Sequence, residues 1–284
     1  MPNTKRDPYT IKPIKSKQTQ VKPLGYELFP QLASSIYISA STKSGKTTLI
    51  YHIIKNCIDK NTKVYIFSPT VFIDSSYKEI SRWLKKKKIP HELHPHFISE
   101  DNEDMLNDIL KAIIGVDHEK HTNQQTIEEK PIAPVYHKIV GGSIIRNLQT
   151  QPHTEKKEES DDDEDEHQTN APKYMFIFDD LGNEMRKPSI YKLLLKQRHF
   201  KAKTILSSQY INNLMPSSIQ QLDYVILFGG HNFDQLGELH KKLDLNISLE
   251  DFIDYYHEAT KQKYNFLYID RREGVFKHNF DKSL

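Results

Sequence analysis

SIYISASTKSGKTTLIYHIIKNCI, residues 35–58, decides the fold. SIYISA, 35–40, is a short β-rich run, and after STKSGKTT the residues Leu49, Ile50, Ile53, Ile54, Cys57 and Ile58 recur at helical spacing as one buried stripe. Strand, loop and helix therefore follow in order. From Ala40 to Thr47 the residues match the P-loop pattern at every fixed position except the first glycine, which is Ala40. In such a loop Ala40, Ser41, Thr42, Lys43, Ser44 and Gly45 lead the backbone amides onto a helix N-terminus, where the dipole favours phosphate oxygens. Gly45 lets the backbone come close. Lys46 is a mobile cation for β and γ phosphates, the Thr47 hydroxyl suits Mg2+, and Thr48 adds a hydrogen-bond donor. Alanine at position 40 costs little where φ need not be positive. A serine- and lysine-rich turn containing GKT by chance has no reason to carry a strand and a helix in register.

Outward from this stretch, β-rich runs alternate with helical periods. KVYIFSP, 63–69, precedes helical stretches at 76–88 and 103–114, and YMFIFDD, KTILSSQ (203–209) and YVILFGG (224–230) are further strands. Leu249, Phe252, Ile253 and Tyr256 mark another helix before a last strand, YNFLYID, 264–270. The pattern predicts an α/β sandwich, a mostly parallel sheet flanked by helices. The uninterrupted strand YMFIFDDLGNE delivers Asp179 and Asp180 to the carboxyl edge of such a sheet. There Asp179 suits the hydration shell of Mg2+, and Asp180 suits orienting or deprotonating an attacking water; the plainer alternative is an acid pair in a turn. Gln209 ends the apolar run TILSSQ and reaches the same edge, near a γ-phosphate or lytic water, if its strand lies between the P-loop and acidic strands.

Composition bounds the rest. The chain has 284 residues, 37% of them hydrophobic, and a net charge of +2, enough for one large domain or two small ones with part of the chain unpacked. EKKEESDDDEDE, 155–166, carries nine acids against two lysines, and removing its −7 leaves +9 on the remainder, a basic body suited to polyanions. The run lies within a polar stretch at about 116–171, read as one long disordered insert of an otherwise continuous domain, 34–284. Residues 1–33 form a basic extended arm, with Lys5, Arg6, Lys12, Lys15, Lys17 and Lys22 among five prolines, either a solvated tail or a contact for nucleic acid or a partner. Cys57 is the single cysteine, which excludes an intramolecular disulfide framework. The first residues lack an apolar leader core, and no apolar run approaches the ~18 residues of a span, so the expectation is a soluble, unsecreted chain without a membrane partner.

Other signals are weaker. His91, His94 and His96 have suggestive metal spacing, but a structural zinc usually recruits four ligands and no cysteine is near. Lys85 to Lys88 complement a helix C-terminus or contact DNA, and Arg271 and Arg272 are equally open.

Four segments in order, ASTKSGKTT, FIFDDLGNE, RHFKAKTILSSQYINNLMPSSIQQLDYVILF and YNFLYID, resemble the viral genome-packaging ATPases of the FtsK–HerA superfamily, as in poxviruses, other large DNA viruses, virophages and Polinton-type elements. They span roughly 35 to 270, and the third, with its Arg-His pair and strand ending in Gln209, is the most specific. Departures are Ala40 for glycine, Asp180 for the commoner glutamate, Gln220 where many relatives carry arginine, and the acidic insert. The resemblance implies a RecA-like P-loop NTPase of the additional-strand type, an ATPase using ATP and Mg2+ to translocate double-stranded DNA into a preformed capsid. It also implies a homo-oligomeric ring, capsid proteins at a portal or vertex as partners, and a place at virion assembly sites in the host cytoplasm or nucleus. Lys46, Asp180 and Gln209 are then catalytic. So is Arg198, as an arginine finger across a subunit boundary, with Arg186 as its competitor, because arginines are scarce here, seven beside 33 lysines. Rivals are another P-loop motor, such as a helicase or a conjugative or segregation ATPase, and a non-hydrolysing nucleic-acid-binding scaffold.

Overall fold

The computed structural model of the chain describes residues 22–123 and 170–284. The elements are, in chain order, β1 (Ser34–Ser39), α1 (Lys46–Cys57), β2 (Lys63–Phe67), α2 (Ser75–Lys86), β3 (His91–His94), α3 (Met105–Asn123), β4 (Tyr174–Asp179) and α4 (Pro188–Lys196). They continue with β5 (Ala202–Ser208), α5 (Pro216–Ile219), β6 (Tyr224–Phe228), α6 (Phe233–Leu243), α7 (Leu249–Ala259), β7 (Phe266–Asp270), β8 (Val275–His278) and β9 (Lys282–Ser283). One sheet joins the strands in the order β3-β2-β4-β5-β1-β6-β7-β8-β9. From β3 to β6 every pairing is parallel, and β7, β8 and β9 add an antiparallel margin.

The expected α/β architecture is present, and β5 lies between β1 and the acidic strand β4. That order is the additional-strand arrangement. Its cause is visible in the burial of the central strands, all six residues of β1 and all seven of β5. Strands covered on both faces carry near-continuous apolar runs and belong inside a parallel sheet. Alternate side chains enter opposite layers: Ile36, Ile38, Val64 and Ile66 pack with α1 and α2, whereas Tyr37, Tyr65, Phe67 and Phe178 pack with α3, α4, α6 and α7. At about 25 cal/mol per Å2 of apolar surface, each such fully buried side chain contributes roughly 1.5–3 kcal/mol.

Three features add detail to the sequence expectation. The helix expected over 103–114 runs over Met105–Asn123, and residues 124–169, which hold most of the expected insert and the acidic run 155–166, lie outside the described residues. The end of the basic arm is tied to the body: Leu24 N–H donates to Asn170 O at 2.7 Å, and the Phe29 ring is fully buried, 5.1 Å from Tyr224 and 5.7 Å from Phe280. Residues 1–21 of that arm lie outside the described residues. The three-histidine segment begins in edge strand β3, with His96 just beyond it, and its side chains go to separate partners: His91 Nδ1 lies 2.9 Å from Ile89 O, His94 pairs with Glu92, and His96 with Glu184.

Candidate functional site at the carboxyl edge of the sheet

β1 ends at Ser39, and the chain turns through Ala40, Ser41, Thr42, Lys43 and Ser44 into α1. Ala40 is fully buried and is not among the described residues with positive φ, which is why alanine serves there. Gly45 has φ 99°, a conformation costly for any residue with a Cβ, and it caps α1 at the point where the free helix amides face outward. Lys46 follows as the first helical residue and is buried. The Ser44 hydroxyl is buried without a hydrogen-bond partner, a polar group of the loop left ready for an acceptor. Thr47 is half-buried and Thr48 exposed.

Two strands away, β4 delivers its acids to the same edge. Lys46 Nζ lies 3.0 Å from Asp179 Oδ1 and also pairs with Asp180 Oδ2. Asp179 is 4% exposed and Asp180 much more open, with φ 53°, so the chain turns sharply out of the strand between them. The Asp180 N–H still donates to Ser207 O of β5 at 3.0 Å, which fixes the turn against the neighbouring strand. Gln209 is the residue after β5 and is exposed; its carbonyl accepts from Ser39 Oγ at 3.5 Å, so it stands at the edge between loop and acids. The structure therefore brings together Lys46, Asp179 and Asp180 and places Gln209 beside them.

Arg198 is elsewhere. It sits in the turn before β5, at the amino edge of the sheet, exposed on a cleft of about 770 Å3 that Asp223, Arg271 and Arg272 also line. It therefore cannot serve the P-loop of its own chain. Arg186 is exposed just after β4 and stays near the acidic edge, before α4 carries the chain back across the sheet. Arg271 and Arg272 are structural: Arg271 donates 2.8 Å hydrogen bonds to the carbonyls of Ile219, Leu222 and Leu243, and Arg272 pairs with Asp223, which also accepts from Ser35 N–H at 2.8 Å.

Sequence reasoning missed two residues. Tyr77 of α2 donates from its hydroxyl to Asp179 Oδ2 at 2.6 Å, deep in the protein, so the buried acid is held by Lys46 on one oxygen and by Tyr77 on the other. Burial, and after it the negative charge of Asp179, pushes the Tyr77 ionisation well above the usual phenol range, so the proton stays on the donor. No sequence signal separated Tyr77 from Ile80 and Leu84, with which it forms one apolar stripe. The other is Tyr264, in the turn before β7, whose Cδ1 lies 3.1 Å from where a Gly45 Cβ would stand.

Hard oxygen donors, the Asp179 carboxylate and the Thr47 hydroxyl next to Lys46, are the chemistry that Mg2+ prefers. An anion-binding loop, a cation inside it and two acids facing it can bind and cleave a phosphoanhydride.

The solved structures that match this chain include B204. The genome packaging NTPase B204 from Sulfolobus turreted icosahedral virus 2, in complex with ATP-gammaS, aligns over 87% of this chain and 96% of its own at 16% identity and a TM-score of 0.47. The same protein with AMP gives 86%, 96%, 16% and 0.48. B204 from Sulfolobus turreted icosahedral virus, described as a DNA-packaging ATPase, gives 90%, 97%, 15% and 0.46. No family model and no curated protein matches the chain.

Proposed function

We propose that the chain is an ATP-driven translocase of double-stranded DNA that packages a viral genome into a preformed capsid, working as a homo-oligomeric ring docked on capsid proteins at assembly sites in the host cell. The observation that carries the enzymatic part is the convergence of Lys46, Asp179 and Asp180 at one edge, with β5 and its terminal Gln209 between loop and acids. The packaging role rests on the four sequence segments that resemble packaging ATPases and on the basic body left when the acidic run is set aside. The exposed Lys85, Lys86, Lys87 and Lys88 at the end of α2 supply part of that charge.

Lys46 pairs with both acids. Incoming phosphates compete for that ammonium, and its transfer to them frees Asp180 to accept a proton from water as the water oxygen attacks the γ-phosphorus and ADP departs. Gln209 orients that water. Asp179 and Thr47 would hold Mg2+, which would supply charge neutralisation for the phosphates when bound. Arg198, at the opposite edge of the sheet, completes the site of a neighbouring protomer.

The test is ATP turnover with and without double-stranded DNA across a salt series. DNA should stimulate turnover, and the stimulation should fall steeply as salt rises, because phosphate contacts release counterions. Turnover indifferent to DNA at every salt concentration removes the motor reading, and no turnover at all removes the enzyme.

A further inference from the structure

The P-loop edge has two flanks. On one side of β1 lie β5 and β4, with Gln209 and the acids that meet Lys46; on the other lie β6 and β7. Strands are spaced about 4.8 Å apart, so the acids and the start of β7 each stand about 10 Å from the loop strand, in opposite directions. The γ end of a nucleoside triphosphate belongs with the lysine and the acids. Its base, at the other end of the same molecule, belongs on the β6–β7 flank.

That flank presents an aromatic ring. Tyr264 comes within 3.1 Å of the position a Cβ on Gly45 would take, with Phe228 of β6 at 3.9 Å. Yet 58% of Tyr264 remains exposed, so a large ring stands open to solvent beside the loop. Its backbone is left-handed, φ 73°, a conformation that non-glycine residues rarely keep unless their surroundings impose it, and such residues cluster at ligand sites. Lys263 Nζ lies 4.8 Å from the ring centroid, so a cation accompanies the ring beside the anion-binding loop.

We propose that Tyr264 is the base platform of this site: its ring stacks on the planar base of a nucleoside triphosphate whose phosphates lie on the loop. The assignment rests on the phosphate-site reading above and adds the recognition of the nucleoside end. Stacking needs only a π face, so the residue contributes affinity for the base as a whole.

Inorganic tripolyphosphate separates the two readings, because it carries the phosphates and no base. Calorimetric titrations with ATP and with tripolyphosphate, both with Mg2+, are run on the full chain and on Tyr264→Leu and Tyr264→Phe. Leucine keeps a Cβ at the left-handed position and removes the ring; phenylalanine keeps the ring. Tyr264→Leu should bind ATP about 10-fold more weakly, the loss of one stacked base, with tripolyphosphate affinity unchanged and Tyr264→Phe close to wild type for both. Wild-type ATP affinity in Tyr264→Leu overturns the assignment. Equal loss of ATP and tripolyphosphate does so too, since the ring would then be shaping the loop. A wild-type chain that binds tripolyphosphate as tightly as ATP recognises no base and refutes the platform alone; one that binds neither removes the phosphate site and the platform with it.

Discussion

Replacing Tyr77 by phenylalanine deletes one oxygen from the protein and leaves the ring volume in place, so no cavity forms. What is lost is the 2.6 Å donation to Asp179 Oδ2, between residues 1% and 4% exposed. A buried hydrogen bond to a charged group contributes about 1.5–3 kcal/mol, and a chain of this size loses roughly 2–4 °C of melting temperature per kcal/mol. Tyr77→Phe should therefore melt about 6 °C lower. The functional effect comes from geometry. In the proposed cycle Lys46 moves to the phosphates, and the Tyr77 hydroxyl then keeps its hold on the plane of the Asp179 carboxylate. Groups that orient a metal ligand typically govern 10–100-fold in metal affinity, so the free Mg2+ giving half-maximal ATP turnover should rise about 10-fold. ATP binding in EDTA should stay within about 2-fold of wild type, because the hydroxyl that is removed bonds to Asp179. The shift should persist in alkaline buffer, since burial and the Asp179 charge keep the hydroxyl protonated. Turnover and EDTA-phase calorimetry are measured side by side. An unchanged Mg2+ midpoint, whatever happens to the melting temperature, refutes the orienting role and leaves Tyr77 as a packing residue.

The remaining expectations concern charge. Lys46→Ala should weaken nucleotide binding and abolish turnover, whereas Asp180→Asn should abolish turnover with near-normal binding; fluorescent-nucleotide titration distinguishes them, and wild-type turnover in either variant rejects its assigned role. Arg198→Ala and Asp180→Asn, each inactive alone, should regain turnover when mixed, because some interfaces pair an intact Arg198 with an intact Asp180. Full DNA-stimulated turnover by Arg198→Ala alone would point to Arg186 instead. Asp223→Ala should cost about 3–5 kcal/mol in urea unfolding, because it strands Arg272 and the Ser35 N–H; a loss below about 1 kcal/mol contradicts that buried network. Lys203 is fully buried, its Nζ donating to Gln31 O at 2.8 Å and Ser34 Oγ at 2.9 Å, and burial pulls its pKa down to about 8. Its folded pKa lies below the unfolded value of about 10.4, so the unfolded chain holds more protons between these limits and this residue's penalty is relieved as pH rises through that window. Wild type should accordingly gain stability over Lys203→Met between pH 7.5 and 10 (values set on the order of these two pKa limits), and a pH-independent difference rejects the assignment.

The parts of this protein that depend on local order are legible in its residues alone. Strand, loop and helix from 35 to 58 are consecutive, so their hydrophobic period and the GKT residues locate the anion loop without tertiary information. The apolar runs of β4 and β5, each ending in polar residues, likewise point to the carboxyl edge. Short elements were not legible in the same way. β3, β8 and β9 have two to four residues each, too few for a period, and they become strands only because a neighbour's ladder is open beside them. The helix α3 runs on to Asn123 through a stretch too polar to show a helical period. Tertiary structure alone decided which side chains meet. Tyr77 and Asp179 are 102 residues apart, and Lys46 and Asp180 are 134 apart. Tyr264 reaches Gly45 across β6 from the turn before antiparallel β7, while Arg198 is carried by α4 to the other edge. A pattern of burial states which face of an element is covered, but strand order and direction state by what, and these arise from packing of the whole sheet.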